Sequence, residues 1–243
     1  MLGKFLDPKN GFAFRQVFGQ KNKDILIHFL NDVLGADRIG QIKEVTFLER
    51  PQGPEIASKK ESMADVRCRD ELGRECVIEI DMQVAKKADF EKRVQYHAAR
   101  TYASIPLAEH FDENFRGVIF LGIVNFLISP EQSSIKSDHV LMSSKQSAIK
   151  SDHTVIDRST HEQDLQGFSF TFIELPKLKK SVEELESPLD YWCYYLKHAQ
   201  ETSSADYELL IVKHPIIQRA YEALDRFYWS QEELQAYEAW MKL

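Results

Sequence analysis

Apolar residues recur along this chain with two spacings, and the switch between them marks out its elements. From Asp24 to Leu34, Ile25, Leu26, Phe29, Leu30 and Val33 fall on one helical face, and Gly35 supplies a stop. Phe12 to Phe18 predicts a shorter helix ahead of it. Ile42 to Leu48 predicts a strand, followed by a break at Pro51-Gln52-Gly53-Pro54. Ala88 to Ser104 reads as a helix that ends before Pro106. Gly117 to Ile128 is almost unbroken apolar sequence, the pattern of a strand buried on both faces, and Phe168 to Leu175 predicts the last strand. Beyond Pro176 the pattern is helical. Ser181 with Glu184 and Ser230 with Glu233 fit the reciprocal capping box, and Ser187-Pro188 puts a cap before a proline at the first helical position. Tyr191, Trp192, Tyr194 and Tyr195 crowd one of these helices, which suits core and docking surface better than a base-stacking platform.

In the middle of the chain the period drops to two. Met63-Ala64-Asp65-Val66 is followed, across Asp70-Glu71-Leu72-Gly73-Arg74, by Ile78-Glu79-Ile80-Asp81-Met82-Gln83. Strand side chains at i, i+2 and i+4 share a face, so Glu79, Asp81 and Gln83 project one way and Ile78, Ile80 and Met82 the other. A hairpin turning near Leu72-Gly73 sets Asp65 opposite positions 79 to 81. Converging carboxylates suit a hard divalent cation, because Mg2+ takes oxygen ligands and usually only one or two carboxylates from the protein. The same alternation also describes a solvated sheet face, polar outward and apolar inward. Against that reading, Asp is depleted in strands and like charges directly opposite are destabilising. Spacing alone leaves both readings open.

Composition narrows the setting. At 243 residues, 43% hydrophobic and 28% charged, the chain suits an ordinary globular α/β domain with a helical appendage. No apolar stretch approaches the ~18 residues that span a bilayer, and the N-terminus carries no signal-like apolar core, so no membrane partner is expected. Three cysteines (Cys68, Cys76, Cys193) form no CxxC; Cys68 and Cys76 could face each other across the hairpin, but a reduced, cytoplasmic setting is expected. A net charge of −7 argues against a protein that coats DNA. Basic residues do cluster near the carboxylates: Lys59 and Lys60 before Asp65, Arg67 and Arg69 after it, and Lys86, Lys87, Lys92, Arg93 and Arg100 beyond Gln83. As a group they would form a phosphate-binding rim.

The hairpin and its surroundings resemble a known family. Asp65, Asp81 and Gln83 are similar to the core of the PD-(D/E)XK nuclease superfamily, an Asp, a hairpin, then acid-x-Lys. The chain resembles in particular the Rpn family of recombination-promoting nucleases, a transposase branch in which Gln commonly replaces that Lys. Further segments match in order: Asp7 to Gly19, Asn22 to Asn31, Ala64-Asp65-Val66, Asp81-Met82-Gln83, Arg93-Val94-Gln95-Tyr96 and Phe172 to Lys177. The resemblance implies a restriction-endonuclease-like mixed sheet flanked by helices, with a nuclease-like domain at 1–177 and a helical region at 178–243. It also implies Mg2+-dependent hydrolysis of DNA, linked to recombination or transposition. Asp65 and Asp81, with the Met82 carbonyl, would hold the metal. Gln83 would orient water or phosphate, Glu79 would serve as an alternate ligand or supporting base, and Lys60, Arg67, Arg93 and Arg100 would meet DNA. Two positions depart from the fuller pattern: Gly11 stands where the family usually has an acid, and Gln83 lacks the charge of a Lys.

Residues 130–167 form a polar segment in which Gln132 to His139 recurs as Gln146 to His153, differing only at Ser134 and Ala148. Two copies are short of the ~3 that a solenoid needs, and a tandem duplication inside a loop is the expectation. The Asp138-His139 and Asp152-His153 pairs lack the spacing of a zinc site. The leading alternatives to an active nuclease are a degenerate one that binds DNA or a protein partner without cutting, and a partner-binding domain with a solvated acidic face. Self-association through the C-terminal helices into a homo-oligomer is a further expectation.

Overall fold

The computed structural model describes residues 4–35, 39–48, 62–128, 148–163 and 167–241. Its frame is a six-stranded mixed sheet in the order β1-β2-β3-β4-β6-β5. The strands are β1 (Ile42–Phe47), β2 (Ser62–Asp70), β3 (Glu75–Gln83), β4 (Phe115–Val124), β5 (Lys150–His153) and β6 (Phe168–Glu174). The helices are α1 (Gly11–Val17), α2 (Lys23–Leu34), α3 (Phe90–Ser104), the short α4 (Leu107–His110), α5 (Pro188–His198), α6 (Ser204–Lys213), α7 (Ile216–Leu224) and α8 (Gln231–Met241). This is the α/β arrangement that the alternating pattern predicts, and a mixed sheet flanked by helices is what the resemblance implies.

β1, β2 and β3 pair antiparallel, whereas β3, β4 and β6 pair parallel. The β2–β3 turn needs Gly73, whose φ of 79° lies where a side chain would be strained. Parallel strands need a crossover, and α3 provides it between β3 and β4. Successive residues of β3 therefore enter different surroundings. Ile78, Ile80 and Met82 join the main core with α1, α2 and the C-terminal helices. On the other face, Phe120 and Val124 pack under Phe90, Val94 and Ala98 of α3.

The main core runs without interruption from α1 and α2 into α5 to α8. The opening motif is part of that join. Asn10 caps α1 by accepting from the Phe12 and Ala13 amides, and its own amide donates to the Tyr237 carbonyl at 3.0 Å. Lys9 donates to the Lys197 carbonyl at the end of α5 at 3.0 Å. Gly11 is buried as the first residue of α1. The three predicted caps form, although Ser181 and Glu184 cap only a single 3-10 turn, Val182–Glu184. In α5, Trp192 and Tyr195 are fully buried as expected of core aromatics.

The expected polar loop at 130–167 contains a strand. Lys150–His153, inside the second copy of the duplication, forms the edge strand β5 against β6. Alternation was no guide because this strand is polar throughout. What holds it is local: the Thr171 hydroxyl donates to Asp152 at 2.7 Å, the Glu174 amide donates to the Ile149 carbonyl at 2.9 Å, and Ile149 packs on the main core. The first copy, with Asp138-His139, lies outside the described residues.

Candidate active site

The β2–β3 register sets Asp65 opposite Glu79 and Met63 opposite Asp81. Asp65, Glu79, Asp81 and Gln83 consequently share one face, as the period-two pattern predicts. Hydrogen bonding fixes how near they come. Asp70 donates its amide to the Arg74 carbonyl at 3.0 Å, while the Asp65 carbonyl turns away from β3 to accept from Leu48 at 2.8 Å. Bonded and non-bonded pairs alternate along an antiparallel ladder, so Asp65 and Glu79 form a non-hydrogen-bonded pair. Such pairs are the closest in a sheet, with Cα atoms about 4.5 Å apart. Asp81 lies diagonally across from Asp65, a separation of about 7–8 Å between Cα atoms.

All three acids are buried: Asp65 is 8%, Asp81 5% and Glu79 0% exposed. A buried carboxylate needs partners that favour its charge. Glu79 finds them on α3, where Thr101 donates to Oε2 at 2.7 Å and His97 Nδ1 lies 3.6 Å from Oε1. Asp81 accepts a short hydrogen bond from the Gln83 side-chain amide. That bond orients the amide group and leaves Gln83 Oε1 buried with no hydrogen-bond partner among the described residues. Beside Asp81 in the sheet is Gly122, where a Cβ would come within 2.7 Å of the Phe172 ring. The ring thus uses space that any side chain at 122 would take.

The predicted basic rim divides. Arg67 points to Glu75 at 3.0 Å and to Glu109 of α4 at 2.6 Å, and Arg69 shares Glu75. Lys86 pairs with Glu91 and Lys92 with Asp89. Arg93 and Arg100 sit on the flank of α3 that carries His97. Helical spacing puts 93, 97 and 100 on one side, and Tyr102 on the other side meets Phe168 of β6 with ring centroids 5.6 Å apart. Arg93 and Arg100 therefore occupy the His97 flank of α3, the one nearer the carboxylate strands. Lys59 and Lys60 lie outside the described residues. His97 and Thr101 were not singled out by the sequence pattern, since they look like ordinary positions on a helix whose partner strand is not legible.

A divalent metal was expected here. Among the described residues no group of three or more His, Cys, Asp or Glu side chains could hold a metal ion. An all-protein cage, as Zn2+ or Ca2+ would take, is therefore a poor fit. Two aspartates on one face, next to the unpartnered Gln83 oxygen, fit a cation that takes one or two carboxylates and otherwise uses water and substrate oxygens, as Mg2+ does. Met82 lies between Ser62 and Ile123 in the sheet and sends its side chain to the core, which leaves only its backbone carbonyl for such a role.

Cys68 and Cys76 are directly opposite on the hairpin's core face, both as free thiols. The contact with Cys76, together with burial, raises the Cys68 thiol well above its usual range, so it stays protonated and is no nucleophile.

The family model of PD-(D/E)XK nuclease family transposases matches residues 8–243 of the sequence. The chain belongs to this family. It is thus a nuclease-fold protein of a family linked to transposition, and PD-(D/E)XK nucleases typically use divalent cations. No curated protein and no solved structure matches the chain. No helix among the described residues is long and apolar enough to cross a membrane.

Proposed function

We propose that this family member is a Mg2+-dependent DNA endonuclease acting in DNA recombination or transposition, with the nuclease site in residues 1–177 and residues 178–243 as a helical region packed on its core. The observation that carries the reading is the shared face of Asp65, Asp81 and Gln83. Asp65 and Asp81, with the Met82 carbonyl, would hold the cation. When bound, it would supply polarisation of a phosphoryl oxygen and a lowered pKa for an attacking water. Gln83 is oriented by its bond to Asp81, so its Oε1 would accept a hydrogen bond from that water and fix its position, or Gln83 would orient the phosphate. Lys60, Arg67, Arg93 and Arg100 are proposed to meet DNA phosphates, with Arg93 and Arg100 best supported by their flank on α3.

The test is plasmid nicking in Mg2+ by wild type beside Asp81→Asn. Nicking by wild type that is lost in the variant and in EDTA supports the reading. Binding of DNA without nicking would instead favour a degenerate nuclease, a reading motivated by Gly11 in the opening motif and by the net charge of −7.

A further inference from the structure

We propose that Glu79, His97 and Thr101 form a latch that fixes α3 across the carboxylate face and so sets Arg93 and Arg100 for the DNA backbone, with Glu79 a positioning residue rather than a metal ligand. The inference rests on the nuclease reading for its ligand and goes beyond it in the residues it assigns.

Glu79 is an expensive residue where it stands. It is completely buried and opposes Asp65 in the closest kind of cross-strand pair, where two like charges destabilise the sheet. An apolar residue there would continue the layer formed by Phe120, its neighbour on β4, and Phe170 beyond it. Packing alone therefore does not call for a carboxylate.

Both oxygens of Glu79 point to α3. Thr101 holds Oε2 and His97 approaches Oε1, and these two residues are one helical turn apart on the same stripe. Together they grip the helix at two points and set its rotation. Those oxygens are directed to the helix, whereas Asp81 is directed to Gln83. The two acids of Glu79-Ile80-Asp81 thus serve different partners although they share a face.

The latch has a consequence for charge. Phe90 at the start of α3 packs on Phe172, which lies in the same row across the sheet as Gly122 and Asp81. Thr101 near its end reaches Glu79, so α3 runs antiparallel to β3 beside the acids. Arg93 is one turn before His97, and Arg100 is just ahead of Thr101 on the same flank. A rotation of α3 would carry both guanidinium groups away from the carboxylate strands together. The ligand they would meet is the phosphate backbone of a duplex, which is repelled by the carboxylates beneath and needs cations held at a fixed place.

The experiment measures binding of a fluorescent DNA duplex by anisotropy in EDTA, at several salt concentrations, with the full chain. Thr101→Val should weaken binding about tenfold and flatten the salt dependence by about one unit of slope, as if a phosphate contact were lost. Thr101→Ser keeps the hydroxyl and should stay within about twofold of wild type. In an Arg93→Gln/Arg100→Gln background, Thr101→Val should add less than about twofold, because the groups it positions are gone. His97→Gln serves as a second probe should Thr101→Val fail to fold. Equal losses in both backgrounds, weaker binding with an unchanged slope, or a wild type that binds no duplex would overturn the latch. A Mn2+ titration by calorimetry separates the two ideas. Glu79→Gln should keep metal affinity within about threefold while Asp81→Asn loses about tenfold or more. Equal losses make Glu79 a ligand and overturn its assignment. A wild type that binds no Mn2+ overturns the nuclease reading, and the anisotropy series still decides the latch.

Discussion

The two faces of the β2–β3 hairpin have the same backbone, register and burial, yet opposite chemistry. Ile78, Ile80 and Met82 enter the main core, while Glu79, Asp81 and Asp65 are nearly as buried on the other face. Burying an isoleucine stabilises the fold by about 1.5–3 kcal/mol, whereas a buried carboxylate costs free energy unless donors surround it. One face is therefore what folding favours by itself, and the other is retained at some expense. That contrast supports the proposed role of the acidic face more firmly than the presence of acids does.

Neighbouring residues can break the comparison most directly. Asp81→Asn, or Asp65→Asn, should abolish metal-dependent nicking with the fold intact, and thermal stability without metal should hold or rise, since a repulsive charge is removed. A drop in melting temperature with nicking retained would make these aspartates structural. Ile80→Ala, one residue away on the opposite face, should do the reverse: urea denaturation should report a loss of about 2–5 kcal/mol, with the residual folded protein still able to nick.

A smaller effect sharpens which flank of the acidic face meets DNA. Reversing Arg93 and Arg100 to Glu should weaken duplex binding and lower the salt slope by about one unit or more. The same reversal at Lys213 and Arg219 should do much less. Those two belong to the helical region, where Arg219 pairs with Asp24 and Lys213 donates to the Glu183 carbonyl. Equal effects would mean diffuse attraction. The smallest effect is expected farthest from the hairpin. Deleting Ser133 through Gln146 leaves the sequence of β5 intact, and loop closure varies slowly with length, so stability should change by less than about 0.5 kcal/mol in the same denaturation assay. Unfolding of the deletion would show that the removed copy is part of the ordered fold.

Much of the hairpin was legible because two strands joined by a short turn leave few registers: alternation fixed the faces, and Gly73 fixed the turn. The helical region was legible through its caps. Three things were not. The role of Glu79 depends on which helix covers it, and nothing local in Ile78-Glu79-Ile80 carries that information. The ion pair of Arg67 with Glu109, 42 residues away in sequence, could not be read from the surroundings of Asp65. β5 escaped notice because Lys150-Ser151-Asp152-His153 has neither alternation nor strand propensity, and becomes a strand only through the edge that β6 offers.

The order in which the sheet can assemble follows from its mixed pairing. Contacts between β2 and β3 are local, and hairpins of this kind close in about 1–10 μs, whereas β3 and β4 can pair only after the chain has crossed through α3. An isolated hairpin would set Asp65 and Glu79 face to face before Thr101 and His97 arrive. Its own acids oppose it until the crossover helix docks. The step that completes the parallel sheet is thus also the step that relieves the hairpin, and neither half of the site gains its final geometry ahead of the other.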